Sequence, residues 1–148
     1  MTDAMTLASD CSVNFEFMRR LSPSMFHNLQ KAETLLDLDP SMAIVRLRKF
    51  GEIYLKQLHR RHPLPPLNEK PPGSGGDYNW LLHLMKDKAI LSSADYKTLR
   101  NIQQLGNDGA HASELTSENA QQCLKKTFAL CKRWAGGLQQ DFVDPPNH

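Results

Sequence analysis

The chain has 148 residues, of which 40% are hydrophobic and 23% are charged, and its formal net charge is +2. This length and composition are typical of one folded domain with a sizeable core. No apolar run approaches the roughly 20 residues of a membrane span, and the acidic start Met1–Met5 is unlike the basic start of a signal peptide. We therefore expect a cytoplasmic protein with no membrane partner.

The cysteines and histidines lack the spacing of a disulfide framework or a metal site. There are three cysteines, and Cys123 and Cys131 fall on nearly one helical face, which favours buried, small apolar side chains. Two histidine-containing pairs have no third ligand at a defined spacing, so we predict no metal and no cofactor. These pairs are His83 with Asp87, and His59 with His62.

Two helix starts are marked near the N-terminus. Residues 1–13 are polar and unpatterned, and we expect a flexible tail there. Ser22-Pro23 combines a capping hydroxyl with proline in the first turn, which predicts a helix to about Leu36. Asp39-Pro40 repeats this signal and predicts a second helix to about Arg61.

Residues 62–77 interrupt the helical patterns. They include five prolines and three glycines, so they predict a long Pro/Gly-rich loop between helices two and three. Such a loop is either functional or a flexible insertion. Helical periodicity resumes from about Tyr78 to Lys88, which predicts the third helix.

Two further helices complete the predicted fold. A capping pattern at Ser92 to Asp95 opens the fourth helix, and Thr116 caps the fifth. No segment has the period of a β-strand, so we expect an all-α bundle of about five helices. The predicted domain spans residues 14–140 and is followed by a C-terminal tail, 141–148.

Gly106 to His111 place two glycines between strongly helical patterns. Glycine inside a helix costs about 1 kcal/mol relative to alanine, so either the backbone bends here or another group approaches closely. His111 is a candidate for acid–base chemistry, and Asn107 is a candidate for orienting its ring. A lone histidine is more often structural, and no nucleophile constellation, P-loop or dinucleotide fingerprint is present.

Helix two is strongly basic. From Arg46 to Arg61 there are six Lys or Arg residues and one acid, Glu52. A phosphate backbone is attracted to such a helix, so DNA or RNA contact is one interpretation. The alternative is a solvated face on which Glu52 pairs with Lys56. The candidate nucleic-acid-binding residues are Arg46, Lys49, Lys56, Arg60 and Arg61.

Arg48 and Glu52 lie four residues apart, near the apolar stripe of helix two. They form either a buried, hydrogen-bonded pair that fixes helix packing, or a surface pair. A buried pair requires desolvation of both charges, so proteins keep one where geometry or function demands it.

Several short motifs occur in a defined order along the chain. They are Asn14–Met18, Lys31-Ala32-Glu33, Asp39-Pro40, Leu47-Arg48 with Glu52, and Gly106-Asn107-x-x-Ala110-His111. Together, over roughly residues 14–140, they resemble the small helical domain at the N-terminus of many type I restriction enzyme motor subunits and related helicases. In that family a dipeptide like Asp39-Pro40 opens the helix that bears the arginine and glutamate.

That family is similar to the HEPN superfamily of helical bundles, many of which are dimeric ribonucleases of bacterial toxin and antiphage systems. The resemblance implies a HEPN-like fold, a restriction or antiphage defence context and a homodimer. The HEPN active motif carries an arginine shortly before its histidine. Asn107 and His111 match the polar residue and the histidine, but Gly106 occupies the arginine position. Without that cation, no group stabilises the charge that develops on a phosphate during cleavage.

Three hypotheses follow from the resemblance. The first is a non-catalytic, HEPN-like accessory domain of a defence system, which contacts nucleic acid or a protein such as a helicase or nuclease. In it, a polar cluster of Arg48, Glu52, Asn107 and His111 locks helix two against helix four. The second is a metal-independent ribonuclease that uses His111, with Asn107 or a partner's basic residue replacing the arginine. The third is a pure protein-interaction module, such as an inhibitor or antitoxin.

Overall fold

The computed structural model describes residues 11–107, 115–137 and 140–145. Over these ranges the chain forms six α-helices and no β-strand, so the all-α prediction is confirmed. The helix beyond the expected five is a single turn, α1, which the sequence presents only as a short apolar segment. The helices are α1 (Met18–Leu21), α2 (Pro23–Leu35), α3 (Pro40–Arg60), α4 (Asp77–Asp87), α5 (Ser93–Asn107) and α6 (Ser117–Trp134).

The predicted capping side chains begin four of these helices. Each accepts a hydrogen bond from a backbone N–H in the first turn, which satisfies a donor that has no partner within the helix. The start signals are therefore confirmed as local, sequence-encoded features. The acceptors are Ser22 Oγ (from Met25 N, 3.3 Å), Asp39 Oδ1 (from Met42 N, 3.2 Å), Ser92 Oγ (from Asp95 N, 3.1 Å) and Thr116 Oγ1 (from Asn119 N, 3.1 Å).

Helix α3 is central to the bundle. It is 21 residues long and contacts α2, α4, α5 and α6. Most of its apolar face is buried, and its opposite face, which includes Lys49, is left to solvent. The residues buried along α3 are Ala43, Ile44, Leu47, Phe50, Gly51, Tyr54 and Leu55.

The stretch between α3 and α4 contains a 3₁₀ turn at Leu67–Glu69. It is attached near both ends: a ring nitrogen of His59 lies 2.7 Å from the carbonyl oxygen of Pro65, and Asn79 Nδ2 donates to the carbonyl of Ser74 at 3.0 Å. One bond attaches the stretch to the end of α3, and the other attaches it to the start of α4.

Two of the three cysteines lie in the core, as the helical-face argument predicts. Cys123 and Cys131 are buried on α6, and burial raises the pKa of Cys123 to about 12. Both thiols therefore serve as small apolar groups. None of the helices in the described ranges is long and apolar enough to cross a membrane.

A buried carboxylate on α2 attaches the N-terminal segment to the bundle. Glu33 is 7% exposed and accepts four hydrogen bonds. Ser12 Oγ and Val13 N each donate at 2.8 Å. Asn14 donates twice, from its backbone N at 3.1 Å and from Nδ2 at 2.8 Å. Because every bond has a charged acceptor, each is stronger than a bond between neutral groups.

Asn14 also binds the C-terminal segment. Its Nδ2 donates to the carbonyl of Val143 at 2.9 Å, and its Oδ1 accepts from Val143 N at 2.7 Å. Gln140 Nε2 donates to the carbonyl of Asn14 at 2.9 Å. We call Ser12, Val13, Asn14, Glu33 and Val143 the terminal clasp. It includes residues on both sides of the expected 14–140 limits.

Candidate functional site

The face of α3 towards α4 and α5 carries a close helix contact built around Tyr78 and Gly51. A methyl group at Gly51 would lie 2.7 Å from both Cε2 and Oη of Tyr78, so only glycine admits this ring. The Tyr78 hydroxyl donates to the carbonyl of Leu99 at 2.6 Å. Burial raises the pKa of Tyr78, which keeps the phenol protonated as a donor.

Arg48 and Gly106 extend this contact along α5. The guanidinium carbon of Arg48 lies 5.8 Å from the Tyr78 ring centroid, in the range of a cation–π contact. A methyl group at Gly106 would lie 3.3 Å from Arg48 Cδ and 3.5 Å from Arg48 Nη1. Gly106 is the second-last residue of α5, and its lack of a side chain lets Arg48 approach the helix closely. We call Arg48, Gly51, Tyr78, Leu99 and Gly106 the joint.

The predicted polar cluster is only partly described. Arg48 belongs to the joint, whereas Glu52 lies nearer the surface, with 45% of its side chain exposed. Glu52 Oε1 accepts from Lys56 Nζ at 2.9 Å. Asn107 ends α5, but its side chain and all of His111 lie outside the described residues, so their part in the cluster stays a prediction.

The basic residues predicted to contact nucleic acid have unequal surroundings. Lys49, Arg60 and Arg61 are exposed, whereas Arg46 is half-buried. Lys56 is drawn into ion pairs with carboxylates on two helices, and its hydrogen bond to Glu52 raises its pKa. The two carboxylates are those of Glu52 on α3 and Asp77 on α4, and Asp77 Oδ2 lies 3.8 Å from Lys56 Nζ. The positive charge of Lys56 is therefore largely balanced by these neighbours.

The C-terminal ends of α3 and α6 converge, which the sequence alone did not indicate. The guanidinium carbon of Arg61 lies 5.6 Å from the Trp134 ring centroid. Trp134 in turn packs edge-on against Tyr54, with centroids 6.3 Å apart. On α6, Arg133 Nε donates to Asp95 Oδ1 of α5 at 2.9 Å. Basic and aromatic side chains thus alternate at this end of the bundle.

Sequence analysis missed Gly51 and Tyr78 as contact residues. The available signal was a glycine within the apolar stripe of a long helix, where its cost in helix propensity requires a packing reason. The partner could not be read in the same way, because Tyr78 lies beyond the interrupting proline-rich stretch.

The chain is similar to the type I restriction enzyme EcoKI endonuclease subunit of Escherichia coli strain K12. The two are 23% identical over 132 residues, which cover 89% of this chain and 11% of that subunit. The chain thus spans only a small part of the length of the relative it matches. No protein-family model and no solved structure matches it.

Proposed function

We propose that this chain is a non-catalytic, HEPN-like helical accessory domain of a restriction or antiphage system that acts by contacting nucleic acid. The similarity to an endonuclease subunit of a type I restriction enzyme supports this context, because it extends over 89% of this chain. The observation that carries the non-catalytic part is the packing at Gly106. A side chain there would begin 3.3 Å from Arg48 Cδ, so the residue at the expected arginine position is a glycine that packs against Arg48.

Charge on α3 supports nucleic-acid contact. Lys49 and Arg60 are exposed and eleven residues apart, which places them on one side of the helix about 16 Å apart along its axis. Cations on one solvent-facing side neutralise phosphates without reading sequence. The expected contact is therefore electrostatic and tolerant of sequence.

A charge-reversal experiment tests this contact. Lys49→Glu with Arg60→Glu is expected to lower affinity for a fluorescein-labelled 20-base-pair DNA duplex at least about tenfold at low salt. Wild-type binding should weaken steeply as salt rises. The control is Lys88→Glu with Lys97→Glu, which makes the same charge change at exposed positions, one directly after α4 and one on α5. Absence of salt-dependent binding to DNA and RNA would favour a pure protein-interaction module instead.

A metal-independent ribonuclease is the second candidate, because the structure brings a guanidinium beside the glycine that replaces the HEPN arginine. Arg48 Nη1 lies 3.5 Å from the position of a β-carbon at Gly106. In this alternative Arg48 stabilises charge on the phosphate and His111 transfers the proton. Incubation of labelled RNA with EDTA decides between the two. Cleavage that is lost in both Arg48→Ala and His111→Ala would establish the enzyme, whereas intact RNA supports the accessory domain.

A further inference from the structure

A groove on the outer side of α6 has a cationic rim. Its volume is about 380 Å³, within the range of small-ligand sites. Lys125, Lys132 and Arg133 line it, at positions i, i+7 and i+8 of one helix, and therefore on one side. No aspartate or glutamate is among the described residues that line the groove.

The three cations are not equally available to a ligand. Arg133 is bound to Asp95, so part of its charge is already balanced. Lys132 Nζ lies 5.5 Å from the Phe128 ring centroid, which holds the ammonium group above an aromatic face. Lys125 is exposed. The groove therefore offers two lysines and a partly balanced arginine to an anionic ligand.

The floor of the groove is apolar and held in place. Ala129 and Phe142 line it, and the Phe142 ring packs edge-on against Phe128 with centroids 5.5 Å apart. Phe142 directly precedes Val143, whose backbone is bound on both its N–H and its carbonyl by Asn14. The terminal clasp thus fixes the position of the Phe142 ring in the groove floor. A ligand gains from such a preformed surface because little side-chain freedom is lost on binding.

This combination of surfaces selects one class of ligand. Phosphates match the lysine rim, and a flat base matches the aromatic and methyl surface between the lysines. Duplex DNA offers the phosphates but keeps its bases stacked inside. A single strand offers both.

We propose that the α6 groove binds single-stranded nucleic acid, with a phosphate on Lys125 and Lys132 and a base against Phe142. This inference rests on the proposed function, since it names the kind of nucleic acid that the domain contacts. Binding is expected to favour a single strand because only an unpaired base reaches the groove floor.

Fluorescence anisotropy with labelled dT20 tests the proposal, and the matching dT20·dA20 duplex gives the comparison. Wild type is expected to bind the single strand at least about fivefold more tightly than the duplex. Lys125→Glu with Lys132→Glu should lower single-strand affinity at least about tenfold. Phe142→Leu keeps an apolar side chain but removes the flat ring, and should lower affinity about threefold or more. Lys88→Glu with Lys97→Glu should leave binding within about twofold.

The outcomes separate this inference from the proposed function. If only the Lys49 and Arg60 reversals weaken binding, or the duplex binds as tightly as the single strand, the α6 groove is not the site and the proposed function stands. If neither nucleic acid binds, both fall. Circular dichroism melts that match wild type are required to show that the lysine variants are folded, because Lys125 is exposed but Lys132 is half-buried.

An acidic peptide is the competing partner, since it also combines negative charge with apolar side chains. A fluorescein-labelled peptide that alternates Glu and Phe provides the test. Tighter binding of this peptide than of dT20, lost in the Lys125 and Lys132 reversals, would overturn the proposal in favour of a protein partner.

Discussion

At the terminal clasp, one buried carboxylate gathers four hydrogen bonds, whereas at the joint two glycines leave out side-chain volume so that a tyrosine and an arginine fit between helices. The clasp joins chain segments that have little regular structure of their own. The joint connects three complete helices. Polar partners specify the first contact, and shape specifies the second.

The difference predicts opposite sensitivities. Loss of the Glu33 charge should be costly, because the partners of Oε2 include the buried backbone N–H of Asn14, which would be left without an acceptor. Gly51 tolerates no gain of volume, because the Tyr78 ring already occupies the space. A substitution that removes the charge but keeps the side-chain size should therefore destabilise the clasp. A substitution that adds volume without changing polarity should destabilise the joint.

The largest effect is expected from Glu33→Gln, which keeps the side-chain shape and removes the charge. If the new amide nitrogen takes the place of Oε2, both donors of Asn14 lose their acceptor. The free energy of unfolding should fall by roughly 3 kcal/mol, since charged hydrogen bonds are lost and buried donors are left unpaired. Urea denaturation followed by circular dichroism measures this change.

A matched control is Glu69→Gln, at an exposed position in the 3₁₀ turn. It should change the free energy of unfolding by less than about 0.5 kcal/mol. Equal costs at Glu33 and Glu69 would show that the carboxylate does not hold the clasp. Release of the C-terminal segment in Glu33→Gln should also speed hydrogen exchange of the Val143 amide.

Gly51→Ala tests the joint by adding one methyl group without changing polarity. The Tyr78 ring must move, and the net loss should be about 2 kcal/mol even though alanine is the better helix former. Gly106→Ala adds the same methyl group at a less crowded position, since the nearest atom is 3.3 Å away and belongs to the flexible side chain of Arg48. It should stay within about 1 kcal/mol of wild type. A larger loss at Gly106 than at Gly51 would contradict this description of the joint.

The parts of the fold that sequence predicts are those encoded locally. Ser22, Asp39 and Thr116 each signal a helix start within three residues of the amide that they bind. Apolar spacing along α3 likewise identifies its buried face. Such signals need no knowledge of which segments meet, so the helices and much of the core follow from them.

The candidate surfaces depend on contacts between distant residues. Asn14 meets Val143 across 129 positions, and no local pattern pairs them. Lys56 belongs to a basic run in sequence, yet Asp77 reaches it from α4. The spacing of Lys125 and Lys132 in the sequence places them on one side of a helix. The position of Phe142 beside them depends on the terminal clasp, which joins residues far apart in the sequence. Sequence therefore identifies side chains more readily than it identifies their partners.

Tyr78→Phe is expected to have the smallest effect and to show whether volume alone governs the joint. Loss of the hydrogen bond to the Leu99 carbonyl should cost about 1 kcal/mol. Removal of Oη also removes one of the two atoms 2.7 Å from a methyl group at Gly51, so Gly51→Ala should cost at least about 0.5 kcal/mol less in the Tyr78→Phe background. A double-mutant cycle in urea measures this coupling, with the half-buried Tyr96→Phe as the control that should show none. Strictly additive costs would mean that the methyl group at Gly51 is accommodated by movement of the helices rather than of the Tyr78 ring, because only ring displacement depends on the hydroxyl.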